Sequence, residues 1–210
     1  MVSMGLRSWF ALAVAVGFLL TAMALAGTVY ASPNNNSNHK IVLTATCPNS
    51  DYQGASTKLS FTQVVACAKS VGFTSVREIA FIAMAYQEST FVPGVTEYGG
   101  CAAGILQEGA ASGGCPGPFP ISHYNPNSCS TYAANGWNGV WYNPTCAFKW
   151  AYAYYHYVGG FNFWGSYLSG AYCKWSPNGF KGAPNPDGTS VSCSGSGQNQ
   201  AGFAWSSVGL

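Results

Sequence analysis

Glu88 is the side chain best placed by type and spacing to do chemistry. It stands near the end of VREIAFIAMAYQEST (residues 76–90), where Val76, Ile79, Ala80, Ile82, Ala83 and Tyr86 recur at helical spacing. The only other charges in that run are Arg77 and Glu78 at its start. A helix that is apolar nearly all round is a buried one. A carboxylate at its end is costly unless used or paired. It also meets the negative end of the helix dipole. Both effects favour the protonated form, so Glu88 is expected to hold its proton above the ordinary carboxyl range. A general acid that protonates a leaving oxygen needs that property near neutral pH. The plainer alternative is an exposed glutamate fraying from a helix end.

Two helices must position this residue. Phe61, Val64, Val65, Ala68 and Val71 mark the first, with Ser60 or Thr62 to cap it and Gly72 to stop it. Thr74-Ser75 caps the second, and Pro93-Gly94 turns the chain after it. Residues 94–143 read as a long Gly/Pro-rich loop region whose one apolar island is Gly104-Ile105-Leu106-Gln107. Loops of such length tend to be functional. Asn143-Pro144 opens another helix, with Phe148, Tyr152, Tyr155 and Tyr157 at helical spacing and Gly159-Gly160 at its end. FNFWGSYLSGAY (161–172) reads as a short final helix or turn.

The ends of the chain and its cysteines speak to compartment. Arg7, an apolar heart over 10–26 and Val29-Tyr30-Ala31 read as a signal peptide over 1–31, cleaved after Ala31. An uncleaved anchor helix is the alternative. Residues 32–46 form a polar spacer, with a glycosylation sequon at Asn35-Asn36-Ser37. A catalytic domain is expected over 47–175. A Ser/Gly/Asn-rich tail follows over 176–210, stapled back through Cys193. Cys47, Cys67, Cys101, Cys115, Cys129, Cys146, Cys173 and Cys193 make an even set, which in an exported chain reads as disulfides. There is no C-x-x-C spacing and there are only three histidines, so no metal site and no cofactor are expected. An even set leaves no free thiol to pair with His123 or His156.

Only 7% of residues are charged, while 15% are aromatic. The surface must then be built from Ser, Asn, Gly, Thr, Gln and Tyr. Such a surface suits neutral glycans, and it suits an acidic exterior because few carboxylates are there to be protonated. A net charge of +2 with no Lys/Arg run argues against nucleic-acid binding.

Four segments, in order, carry a resemblance. Tyr86-Gln87-Glu88-Ser89-Thr90-Phe91-Val92-Pro93 resembles the ES-x-F-x-P signature of the soluble lytic transglycosylases and goose-type lysozymes. Ala103-Gly104-Ile105-Leu106-Gln107 resembles the glutamine motif that follows it in that family. FTQVVACAKSVGFTSVREIAFIAMAYQEST is similar to the family's first two helices. NPTCAFKWAYAYYHYVGGFNFWGSY is similar to its later aromatic segment. Together they span roughly residues 58–175. Cys101-Ala102-Ala103 departs from the family, which has a serine shortly before the motif glycine. Tyr167-Leu168-Ser169-Gly170 matches the family's YNAG-type segment only loosely.

The resemblance implies a mainly α, lysozyme-like fold with little or no β-sheet and a secreted, monomeric enzyme. The substrate implied is peptidoglycan, cut at the MurNAc–GlcNAc β-1,4 bond. Glu88 would be acid and then base. Gly104 and Gln107 would line the cleft, with Tyr98, Trp164 and Tyr167 as further substrate-binding residues. Packing is the alternative role for the aromatics, and a structural amide is the alternative for Gln107. Ordinary glycosidases use two carboxyls. The candidates for the second are Glu97, Glu108 and Asp187; without one, the transglycosylase route fits. The competing functions are a non-catalytic glycan-binding module and an adhesion domain.

Overall fold

The helices over 61–71 and 144–158 begin and end on local signals. The computed structural model describes residues 44–97, 101–109, 129, 137–193 and 197–210. The expected leader, most of the polar spacer, Tyr98, Cys115 and most of the 94–143 loop region lie outside the described residues. Helix α1 (Phe61–Val71) starts at Ser60, whose hydroxyl accepts the Gln63 N–H at 3.2 Å while Gln63 Oε1 accepts the Ser60 N–H at 2.9 Å. This reciprocal box satisfies two otherwise orphaned donors. Gly72 ends the helix at a φ of 105°, a conformation costly to any residue with a Cβ. Helix α2 (Ser75–Ser89) follows an extended Thr74 and stops at Thr90.

A small antiparallel sheet comes next, ordered β1 (Thr96–Glu97), β2 (Ala102–Ala103), β3 (Glu108–Gly109), with Thr96 facing Ala103 and Ala103 facing Glu108. Helix α3 (Trp137–Tyr142) leads into α4 (Pro144–Val158). The Asn143 side chain accepts the Cys146 N–H at 3.0 Å, and proline takes the first helical position, where no N–H is needed. Helix α5 (Gly165–Leu168) and 3-10 turns over Ala171–Lys174 and Trp205–Val208 complete the elements. The architecture is mainly helical with almost no sheet, as the sequence implies.

The core gathers on α2, whose residues 80–85 are all buried. α2 packs on α1, on α5 and on the Ala171–Lys174 turn. Aromatic rings fill the gaps: Phe81 meets Phe73 at 4.2 Å, Phe148 at 5.2 Å and Trp164 at 5.9 Å. Residues 176–210 take part in this core despite their polar composition. Phe180, Ala183, Trp205 and Val208 are buried in it, and Phe203 stacks on Phe61 at 4.7 Å. Lys69 Nζ donates to the Val208 carbonyl at 2.8 Å, holding the last residues against α1.

Disulfides join Cys47–Cys67, Cys129–Cys146 and Cys173–Cys193. The last one ties residue 193 to the Ala171–Lys174 turn. Cys101 is disulfide-bonded as well. Among the described residues no helix is long and apolar enough to cross a membrane.

Candidate active site

Glu88 occupies the last turn of α2, half-buried, on the wall of a cavity of about 360 Å³. Gln87, Gln107, Phe163, Trp164, Gly165, Ser166, Ser169 and Ala171 share that wall. The resemblance had named Glu88, Gln107 and Trp164, and the fold brings these three together. Phe163, Ser166 and Ser169 went unremarked; their only signal was the proximity in sequence to Trp164.

Side-chain bonds hold this end of α2. The Ser89 hydroxyl donates to the Ile105 carbonyl at 2.8 Å, with the Ala85 carbonyl at 3.1 Å as a second acceptor. The helix is thereby tied to the 104–107 turn. The Trp175 indole N–H donates to Gln87 Oε1 at 2.7 Å. The chain leaves the helix through two consecutive non-glycine residues in the left-handed region, Thr90 (φ 52°) and Phe91 (φ 69°). Gln107 (φ 48°) is another. Such backbone costs on the order of 1–3 kcal/mol per residue and collects at functional sites. Packing offsets it at Phe91, which is buried against Tyr86 at 4.9 Å and Phe203 at 5.3 Å.

The expected ligand contacts sort into two groups. Gln107 folds its amide back over the turn, with Nε2 donating to the Gly104 carbonyl at 2.9 Å and lying 3.4 Å from that of Val95. Its Oε1 is buried without a hydrogen-bond partner, as are Trp164 Nε1 and Ser166 Oγ. Gln107 is thus both a structural amide and a wall residue. Gly104 and Tyr167, in contrast, stand outside the cavity wall. A Cβ on Gly104 would come within 2.2 Å of the Trp141 carbonyl oxygen, so the close approach that requires glycine is to α3. Tyr167 is buried, donates to the Ala183 carbonyl at 2.7 Å and accepts the Val191 N–H at 3.3 Å. Its ring and hydroxyl are spent on packing. Tyr98 is not among the described residues.

The candidate second carboxyls also separate. Asp187 is exposed and accepts the Thr189 hydroxyl at 2.6 Å and N–H at 2.9 Å, which hold its carboxyl below the usual range. Glu97 is on β1, and its side chain lies outside the described residues. Glu108 is 0% exposed, and neither carboxyl oxygen has a hydrogen-bond partner. Burial pushes its pKa well above the usual range; its own backbone amide offsets part of the rise, and the charge of Glu88 adds to it. Glu108 is therefore a neutral acid within electrostatic reach of Glu88.

No family model, curated protein or solved structure matches this chain.

Proposed function

We propose that this chain is an exported, lysozyme-like enzyme that cleaves peptidoglycan at the MurNAc–GlcNAc β-1,4 bond, with Glu88 as general acid and then base. The observation that carries the reading is the company Glu88 keeps. An acid ends a buried apolar helix beside a cavity of about 360 Å³. The same wall brings polar side chains from Gln87, Gln107, Ser166 and Ser169 beside the rings of Phe163 and Trp164. A cavity lined by aromatic rings and a few polar groups fits a ligand rich in hydroxyls and amides. The disulfides support an oxidising setting outside the cytoplasm.

The acids favour one route. Glu88 gives its proton to the leaving O4 of GlcNAc as the glycosidic bond breaks. A second carboxylate would then act as nucleophile or water-activating base in an ordinary glycosidase. Glu108, held neutral by burial, is a poor base and a poor nucleophile. Asp187 is not on the cavity wall. Among the described carboxyls this leaves the route in which the Glu88 carboxylate takes the proton of the muramic 6-hydroxyl as that oxygen attacks C1. The proton returns to Glu88, no water is consumed, and the product is a 1,6-anhydro sugar.

The substitution Glu88→Gln tests the role. It should lower lysis by about 10²–10⁴-fold while leaving the fold and glycan binding in place, since it removes the proton and little else. Unchanged lysis would remove Glu88 from the mechanism. Glycan binding without lysis in the unaltered protein would favour the non-catalytic binding module instead.

A further inference from the structure

Glu108 has no part in the proton transfers just described, yet it is the most expensive side chain near the cavity. It is 0% exposed, and both carboxyl oxygens lack a hydrogen-bond partner. Burying a carboxyl in this way costs stability unless the group is kept for another purpose. Its position is fixed on three sides. Strand β3 holds its backbone against Ala103 of β2. Gln107, the residue before it, is on the same cavity wall as Glu88. Ser89, the residue after Glu88, donates to the Ile105 carbonyl at 2.8 Å, so the end of α2 is tied to the turn that leads into Glu108.

We infer that Glu108 is a positioning residue: a buried carboxyl whose O–H stabilises the negative charge left on Glu88 once Glu88 has given up its proton. This role rests on the acid/base reading of Glu88. The reasoning is electrostatic. Proton donation converts Glu88 from neutral to anionic, and the transition state already carries part of that charge. A neutral donor fixed in a poorly solvated place stabilises such charge strongly and needs no reorganisation. An ionised Glu108 would repel the same charge. Desolvation is the largest influence on Glu108, and it keeps the group neutral; the Glu88 charge acts in the same direction. Among the described residues no Lys or Arg influences it.

The test uses the full exported chain and two variants. Glu108→Leu removes the donor and should lower kcat about tenfold or more with KM unchanged. Glu108→Gln keeps a neutral donor of the same shape and should rescue it. At high pH the unaltered protein should lose kcat as Glu108 ionises, and that limb should be absent in Glu108→Gln. A purely structural role would not move the pH profile. A second readout needs no activity. Followed by NMR, the Glu88 carboxyl carbon should titrate in two steps in the unaltered protein and in one step in Glu108→Gln. An identical single titration in both proteins overturns the inference, whether or not Glu108→Leu folds. If no glycan is cleaved, the enzymatic reading fails on its own, while the titration still decides whether Glu88 and Glu108 are coupled.

Discussion

Glu88 was legible in the sequence because it is a lone carboxylate at the end of an apolar run. Gln107 and Trp164 were legible through the motifs around them. Glu108 was visible only as a neighbour of Gln107. Its burial depends on how β3 lies under the cavity, which is a tertiary fact. Gly104 and Tyr167 lie off the cavity wall, Gly104 against the Trp141 carbonyl and Tyr167 against the Ala183 carbonyl. Trp164 is 3% exposed, is met edge-on by Phe81 and Tyr154, and keeps an indole N–H without a partner. Trp164→Phe should shrink the aromatic stretch of cavity wall that Trp164 forms with Phe163. The expected result is a rise in KM of about fivefold with kcat nearly unchanged, the worth of about 1 kcal/mol of ring contact. Steady-state kinetics on a defined glycan would check it.

At the level of elements, local chemistry was the most readable. The Ser60 cap, the Gly72 stop, the Asn143-Pro144 start and the Gly159 stop all stand where the sequence placed them. The two-residue strands had no period to detect, and they are defined only by their antiparallel pairing, β1 on β2 and β2 on β3. Residues 176–210 were the hardest to read. Their Ser, Gly, Asn and Pro mask the few apolar residues that matter, among them Phe180, Trp205 and Val208. The Cys173–Cys193 bridge closes a separation of 20 residues within this region. Replacing both cysteines with serine should lower the unfolding free energy by about 3 kcal/mol, chiefly by releasing the unfolded chain. Denaturant melts of the variant would read the loss. The turn that this bridge anchors shares Ala171 with the cavity wall, so KM should rise as well.

For the molecule as a whole, the scarcity of charge has a thermodynamic consequence. Of only six acidic residues, Glu78 and Glu108 are buried. Burial pushes Glu78 from 4.5 to about 7, against the pull of Lys69 at 4.0 Å. Glu108 moves in the same direction. The folded chain thus binds more protons than the unfolded chain above pH 4.5, where the unfolded carboxyls ionise. These two groups contribute stability that is fully present below 4.5 and lost as pH rises through about 7 and beyond. Asp187 acts oppositely, its stabilisation being lost as pH falls below its ordinary 3.8. Thermal unfolding midpoints should therefore be higher near pH 4.5 than at 7.5, and Glu78→Gln should flatten the difference. A midpoint that climbs steadily across that interval would contradict the assignment. The central claim, that Glu88 cuts glycan strands without a second catalytic carboxylate, is tested most directly by mass spectrometry of muropeptides. Purified peptidoglycan would be incubated with the unaltered protein and with Glu88→Gln. The account predicts 1,6-anhydro-MurNAc ends from the first and none from the second; reducing ends, or no products at all, would contradict it.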